Sequence, residues 1–356
     1  MRFLLFIALT WSILFFIHWL PYASLSVAFG FELPYWGIAL GLLSGSFIFA
    51  SVLVKKVRNK LTDMLYFVAA TWLGTVFITF SFQLLYQLVH VFTGLSSPLA
   101  AGILLIVSLI ISVYAVYNGQ RIVFKEYTIP ILGLEVAVRA VHLTDIHIGT
   151  VHQTAFLKQV VQMTNQLSPD VIYMTGDLFD GSAPISASTL EPLNTLKAPV
   201  FFSHGNHEEY EGLQYVRDTI KDINIDLLEN RMVIHNGIQV VGVNDKLSLG
   251  DDESLAIILG ELDLDKNLPT VLMYHTPVEW DAAREYGVDV MLSGHTHNGQ
   301  IYPFTLLVRL FFKYINGLYE KGGTYLHVSP RTGTWGPPMR LGSQNQITLL
   351  HLVPKA

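Results

Sequence analysis

Apolar positions follow two different rhythms along this chain of 356 residues. Up to about residue 120 they run on with little interruption, and spans can be placed where charges are missing. No charged residue stands between Arg2 and Glu32 or between Glu32 and Lys55, and 57 uncharged residues separate Asp63 from Arg121. One helix of that last length would reach about 85 Å, against a hydrocarbon core of about 30 Å. The run must therefore fold back, and Thr93-Gly94-Leu95-Ser96-Ser97-Pro98 carries the turn residues to do so. The pattern predicts four membrane spans, near 3–20, 35–54, 64–90 and 99–117.

From Val136 onward the rhythm changes to short β-branched runs alternating with helical stretches. Expected strands are Val136–Leu143, Val171–Met174, Val200–Phe202, Ile238–Val243, Val271–Met273 and Val288–Leu292. Helical spacing covers Val151–Gln166, Tyr210–Lys221 and Trp280–Tyr286. Such alternation implies an α/β domain with helices on the faces of its sheets. The stretch 118–130 reads as the link, which divides the chain into a membrane region, 1–120, and an α/β domain, 121–356.

Charge sharpens this division. Residues 1–120 hold five Lys/Arg and two Asp/Glu, whereas 121–356 hold 17 and 26. The acidic balance of the second part argues against a nucleic-acid surface. Lys55, Lys56, Arg58 and Lys60 crowd the link between the second and third spans, and the other two links carry no Lys or Arg. Cytoplasmic loops carry that excess, so both termini and the α/β domain are expected in the cytoplasm, behind a bacterial-type plasma membrane. Cleavage of the first span as a signal peptide would leave that topology unchanged, and Pro21-Tyr22-Ala23 is a poor cleavage site. His18 and His90 have no acidic companion in the spans and read as neutral, hydrogen-bonded side chains. With no cysteine in the chain, thiol nucleophiles, disulfides and thiolate metal sites are excluded.

The candidate chemistry stands directly after the strands. Asp145-Ile146-His147 follows the first, Gly176-Asp177-Leu178-Phe179-Asp180 the second and Gly205-Asn206-His207-Glu208 the third. His275 follows the fifth, and Gly294-His295-Thr296-His297 the sixth. Ligands gather where strands give way to loops, so all five blocks can meet in one crevice. Carboxylate, imidazole and amide oxygen suit Mn²⁺, Fe²⁺ or Zn²⁺. Seven such groups exceed the needs of one ion with an open position, and two ions sharing a carboxylate fit better. Each block alone would be a turn, a cap or a core histidine; in this order they form a constellation.

These blocks resemble the calcineurin-like metallophosphoesterases over about 130–352, and most of all their membrane-tethered branch. Gly317-Leu318-Tyr319 and the tail Gly333-Thr334-Trp335-Gly336-Pro337-Pro338-Met339-Arg340 are similar to that branch. The resemblance implies a two-sheet β-sandwich flanked by helices, holding two divalent ions. It implies that Asp145, His147 and His297 bind one ion, that Asn206, His275 and His295 bind the other, and that Asp177 bridges them. His207 then protonates the leaving oxygen as a hydroxide shared by the ions attacks phosphorus. Asp180 and Glu208 would stand behind the ligands and orient their rings, while His152 and His204 read as surface residues or supporting partners. Asn298 stands where such proteins often have a second glycine, and Arg331 interrupts a stretch usually richer in glycine.

The segment 301–315 follows the last ligand pair and is rich in Phe and Leu. Its two readings are a core-packed helix or hairpin, and a lip with Phe311 and Phe312 facing bilayer or acyl chains and Arg309 and Lys313 at headgroup level. The leading expectation is a membrane-anchored hydrolase of a phosphodiester or pyrophosphate bond in a lipid-linked substrate. The alternatives are an anchored hydrolase of soluble diesters such as cyclic nucleotides, and a scaffold whose hydrolase domain is degenerate.

Overall fold

The computed structural model describes residues 2–94, 97–245 and 254–355, so Leu95 and Ser96 of the expected turn lie outside the described residues. The chain forms two compact units. One comprises Met1–Gln120, Ile301–Pro303 and Gly336–Leu341, and the other Arg121–Gln300, Phe304–Trp335 and Gly342–Ala356.

The first unit is built on α1 (Arg2–Phe29), α2 (Trp36–Lys56), α3 (Lys60–Thr93) and α4 (Pro98–Gly119). All four are long and apolar enough to cross a membrane. Their ends are fixed by local chemistry. Asn59 Oδ1 accepts the N–H groups of Leu61 and Thr62 at the start of α3, and Gly94, with φ of 69°, closes its end. Ser97 caps α4, whose first residue is Pro98. His18 is a contact between helices: its Nε2 accepts from Trp72 Nε1 at 3.0 Å.

Two short segments from far along the chain complete this unit, beyond the boundary at 120 drawn from the sequence. Ile301 and Met339 are buried with Ile78 and Ala115. The Arg340 N–H donates to Ala115 O at 2.8 Å, and Asn118 Nδ2 donates to Arg340 O at 3.0 Å. Gly119 permits this approach, since a Cβ there would lie 2.6 Å from Pro338 O.

The second unit contains two six-stranded mixed sheets. The first is ordered β1 (Ile122–Ile131), β12 (Asn345–Pro354), β2 (Val138–Leu143), β3 (Val171–Thr175), β4 (Val200–Ser203) and β5 (Asp226–Leu227). The second is ordered β10 (Gly317–Lys321), β11 (Thr324–Val328), β9 (Val290–Ser293), β8 (Thr270–Met273), β7 (Ile238–Gly242) and β6 (Arg231–His235). The helices of this unit are α5 (Thr154–Gln166), α6 (Ala187–Leu190), α7 (Asn206–Glu211), α8 (Leu213–Ile220), α9 (Leu255–Glu261), α10 (Trp280–Glu285) and α11 (Phe304–Phe311).

Alternation along the strands assigns each side chain to a layer. Ala140, Val171, Tyr173, Val240, Val271, Met273, Val290 and Leu292 form a core shared by both sheets. Their neighbours Val141, Ile172 and Met174 face the other way and pack with Leu157 and Val160 of α5. Val241, Leu272 and Met291 pack with Ile258 of α9 and Trp280 of α10. With both faces covered, these strands read in the sequence as continuous apolar runs.

The stretch 118–130 is not a link: most of it is the edge strand β1, paired in parallel with β12 along its whole length. Its exposed Lys125 and Glu126 hide the alternation, as expected of an edge. The expected helix 210–221 is two helices, because Gly212 at φ of 92° breaks it into α7 and α8.

Between the sheets lies a buried histidine pair, with His142 Nδ1 2.8 Å from His327 Nδ1 and His142 Nε2 2.6 Å from Thr175 Oγ1. Burial lowers the pKa of His327 to about 3 and, with His327 beside it, holds His142 well below the usual range. Both rings are neutral when folded and accept protons when unfolded below about pH 6.5. Their stabilising contribution is complete above that pH and is lost as pH falls. The thermal midpoint in detergent is therefore expected to drop on acidification from pH 7 to 5, because each histidine kept neutral costs up to about 1.4 kcal/mol of stability per pH unit below about pH 6.5. His327→Gln should flatten that slope, which melting curves across the range would show.

Candidate metal centre

Strands β2, β3 and β4 run parallel in one sheet, and β8 and β9 run parallel in the other. Their carboxyl ends carry all five ligand blocks. The loops there are stitched to each other: Asp145 N–H donates to Gly176 O at 3.0 Å, His147 N–H to Asp177 O at 3.0 Å, and Gly294 N–H to His275 O at 2.8 Å. Five of the seven expected ligands adopt left-handed backbone, namely Asp145, His147, Asp177, His295 and His297, with φ between 49° and 64°. Strain of this kind persists where the surroundings over-determine a functional geometry. The nearby glycines are steric necessities. A Cβ at Gly205 would lie 2.3 Å from Asp177 Oδ1, and one at Gly294 would lie 2.1 Å from Asp145 Oδ2.

Asp145, His147, Asp177 and His297 each offer one ligand atom, and these atoms all lie within 4.8 Å of one another. His297 Nε2 stands 2.9 Å from Asp145 Oδ1, and His147 Nε2 stands 3.7 Å from Asp177 Oδ2. A second set joins at Asp177, whose Oδ2 is 3.2 Å from His275 Nε2. The His275 and His295 rings are 5.3 Å apart, and His295 Nδ1 is 2.8 Å from Asn206 Oδ1. All seven expected ligands are thus brought together, with Asp177 between the two sets.

Burial competes with the facing charges to set the charge states. On its own it would raise Asp145 and Asp177, but His275 and the other histidines hold both carboxyls well below the usual range. Burial would likewise lower His275, yet Asp177 and Asp145 hold it well above its ordinary value. His147 and His297 are lowered, burial being the largest cause for each. Two dry carboxylates facing imidazoles form a cluster seeking positive charge. Both ring nitrogens of His147, Nε2 of His275 and Oδ2 of Asp180 are buried with no hydrogen-bond partner. Buried polar atoms are rarely left so, and the donor set of carboxylate, imidazole and amide oxygen fits divalent cations. His275 Nδ1 donates to Thr175 O at 2.7 Å, so Nε2 is the nitrogen that faces Asp177 Oδ2 and the rest of the cluster.

The remaining expected residues divide by role. His207 Nδ1 donates to the Asp180 carbonyl at 2.7 Å, and its ring lies 4.6 Å from that of His147. Asp180 Oδ1 is 3.8 Å from His147 Nδ1. Glu208 accepts the backbone N–H groups of Asp177, Phe179 and Gly205 at 2.7–3.0 Å, so it shapes two loops. Burial and Asp177 push its carboxyl up to about 7. His152 and His204 are buried rather than at the surface. His152 Nε2 accepts the Thr334 N–H at 2.9 Å, and His204 Nδ1 is 3.6 Å from Glu229.

In 301–315, residues 304–311 are α11, and only Thr305 of that helix is buried. Leu310 and Phe311 are 76% and 81% exposed, and Arg309 and Lys313 are exposed beside them. The core-packed reading therefore fails for this helix. Phe312, half-buried, meets the His295 ring at 5.4 Å.

Two aromatic residues that sequence reasoning did not assign to the site also border it. Tyr210 and Trp335 lie 5.4 Å and 5.5 Å from the His207 ring. Tyr210 stands one helical turn after His207, a spacing that could have found it. Trp335 was visible only as part of the tail. Arg331, fully buried, donates to Gly333 O at 2.9 Å and to Gln300 Oε1, which fixes the loop that carries Trp335.

Residues 138–299 match the calcineurin-like phosphoesterase family. The chain is 36% identical over 245 residues to an uncharacterized metallophosphoesterase of Helicobacter pylori, a match covering 67% of this chain and 66% of that protein. It is 31% identical over 259 residues to an uncharacterized metallophosphoesterase of Campylobacter jejuni, covering 69% of each. It is also 28% identical over 342 residues to a zebrafish (Danio rerio) transmembrane protein with metallophosphoesterase domain, covering 87% of this chain and 77% of that protein. The chain belongs to the calcineurin-like metallophosphoesterase family, in a membrane-associated form with four apolar helices ahead of the domain. The match thus takes in just under two thirds of the Helicobacter pylori relative's length.

If the cluster holds metal through Asp177, Asp177→Asn should purify with less bound Mn, Fe or Zn than the parent protein, measured by elemental analysis after dialysis. Equal metal content in the two proteins would exclude that role.

Proposed function

We propose that the protein is a membrane-anchored dimetal phosphoesterase that hydrolyses a phosphodiester or pyrophosphate bond in a lipid-linked substrate at the cytoplasmic face. The observation that carries this reading is the convergence of seven ligand-type side chains from five strand ends, four of them within 4.8 Å of one another. A degenerate scaffold would be expected to lack part of that set.

Asp145, His147 and His297 would hold one divalent ion, and Asn206, His275 and His295 the other, with Asp177 shared between them. Such ions, when bound, supply charge neutralisation at phosphoryl oxygens and a water acidic enough to ionise near neutral pH. The protein's own groups supply the rest. Thr144 Oγ1 donates to Asp145 Oδ2 at 2.7 Å, and the His207 N–H donates to Asp177 Oδ1 at 2.9 Å, so both carboxylates are held in one orientation. Because His207 Nδ1–H is committed to the Asp180 carbonyl, Nε2 is the nitrogen that passes a proton to the leaving oxygen.

Topology and substrate class rest on two further features. Lys55, Lys56, Arg58 and Lys60, at the junction of α2 and α3, support a cytoplasmic position for both termini, as in a bacterial-type plasma membrane. The exposed apolar face of α11, with Arg309 and Lys313 beside it, supports a lip that grips acyl chains while the cations meet the headgroup.

His207→Ala should keep its metal and lose about 10²–10⁴ in kcat. Phe311→Glu should raise KM for a substrate presented in vesicles more than for a soluble diester. Full hydrolysis by metal-loaded His207→Ala would sink the mechanism. An equal response of the two substrates to Phe311→Glu would favour soluble diesters.

A further inference from the structure

The two ligand sets of the candidate centre are unequal in charge. Asp145, His147 and His297 include a carboxylate, and Asp180 Oδ1 stands behind them, 3.8 Å from His147 Nδ1. Asn206, His275 and His295 bind metal as neutral groups, and Asp177 is common to both sets. Like ions would therefore be held more firmly at the first position than at the second. Two buried charged residues outside the ligand sets oppose that difference, one on each side.

The first is Arg331. Its loop lies along the Asp145 loop, where the Thr332 N–H donates to Thr144 O at 2.9 Å and the Gly333 N–H to Asp145 O at 3.0 Å. The guanidinium is fully buried, and its bonds go to neutral acceptors, from Nε to Gly333 O at 2.9 Å and from Nη2 to Gln300 Oε1. Among the described residues Nη1 has no partner, so no paired carboxylate cancels the charge. Burial lowers its pKa only to about 9, which leaves it a cation at neutral pH. Its field falls on the first set: burial lowers His147 and His297, and Arg331 adds to both.

The second is Asp245, buried just past β7. Its Oδ2 accepts the hydroxyl of Thr276, the residue after His275, at 2.5 Å. Burial would lower both His275 and His295, and Asp245 stands with Asp177 and Asp145 among the carboxylates that oppose it. A fixed cation weakens a neighbouring metal position, and a fixed anion strengthens one.

Resting on the two-ion reading above, we propose that Arg331 and Asp245 bring the two positions closer in affinity. Arg331 loosens the ion held by Asp145, His147 and His297, and Asp245 tightens the ion held by Asn206, His275 and His295. Both are positioning residues that act on the ligands by charge, from behind. The pair then fills over a narrow range of metal concentration, and a half-loaded centre is rare.

The full-length protein in detergent, stripped of metal by a chelator, is titrated with Mn²⁺ while electron paramagnetic resonance reads the free ion. His295→Ala leaves the first position for measurement and His297→Ala the second. In the His295→Ala background, Arg331→Gly should lower the dissociation constant about tenfold, since glycine suits the φ of 91° there. In the His297→Ala background, Asp245→Asn should raise it about tenfold. Each substitution should move the opposite position several times less. Structural damage does not tighten binding, so a gain with Arg331→Gly separates charge from folding. Thr276→Val keeps the Asp245 charge and should cost several times less than Asp245→Asn. An equal cost would make Asp245 a support for its loop and overturn its part. Unchanged or weaker binding with Arg331→Gly would overturn the part of Arg331. Uptake of fewer than two ions by the parent protein would overturn the two-ion reading itself, and the proposal with it.

Discussion

Two ionised carboxylates in a dry crevice set the terms for the rest of the catalytic unit. Asp145 and Asp177 are fully buried, and isolated charges there would cost several kcal/mol each. They are tolerable because imidazoles face them, because backbone and hydroxyl groups donate to them, and because the site is shaped for cations. The left-handed ligand residues, the glycines without room for a Cβ, and Glu208 gathering three N–H groups all serve to hold those two charges in place. The sheets supply the stiffness: parallel strands buried on both faces deliver the ligand loops to a common edge.

Much of this was legible from residue order. Missing charges marked the four spans; α1 runs nine residues past the expected end at 20, and α3 and α4 start at the capping residues Asn59 and Ser97 rather than where hydropathy rises. The central strands and their ligand blocks were legible because buried strands carry uninterrupted β-branched runs, and polar residues directly after such runs are conspicuous. Peripheral strands were not. β1 carries Lys125 and Glu126 on an open edge, and β5 is two residues long and ends in Leu227. β10 and β11 mix polar and aromatic residues, with β10 half-buried to exposed and β11 buried only from Leu326 on, so both resemble loops when read locally.

In the site, residue types that bind metals announced themselves, while residues acting through position did not. Tyr210 and Trp335 are ordinary aromatic residues until the fold brings them to His207. Arg331 looked like a departure from a glycine-rich stretch. In the structure it adopts φ of 91°, a backbone that glycine would adopt more readily, and its guanidinium joins Gln300 to the loop of Trp335. Its side chain explains why this position tolerates strain, a trade-off invisible without the partner 31 residues away.

The first unit is assembled from stretches far apart in the sequence, and that has a consequence for how such a protein is inherited. Met339 is fully buried beside Ile78 and Ala115, and the backbone of Arg340 is bonded to α4. An anchor that took part of its own interior from the catalytic sequence could not be exchanged for another by simple gene fusion at residue 120. Recombination there would strand Ile301 and Met339 without their neighbours and leave Gly119 facing nothing. The spans are therefore less an address label than a partner that must change in step with the tail following Trp335, and the two are expected to diverge together.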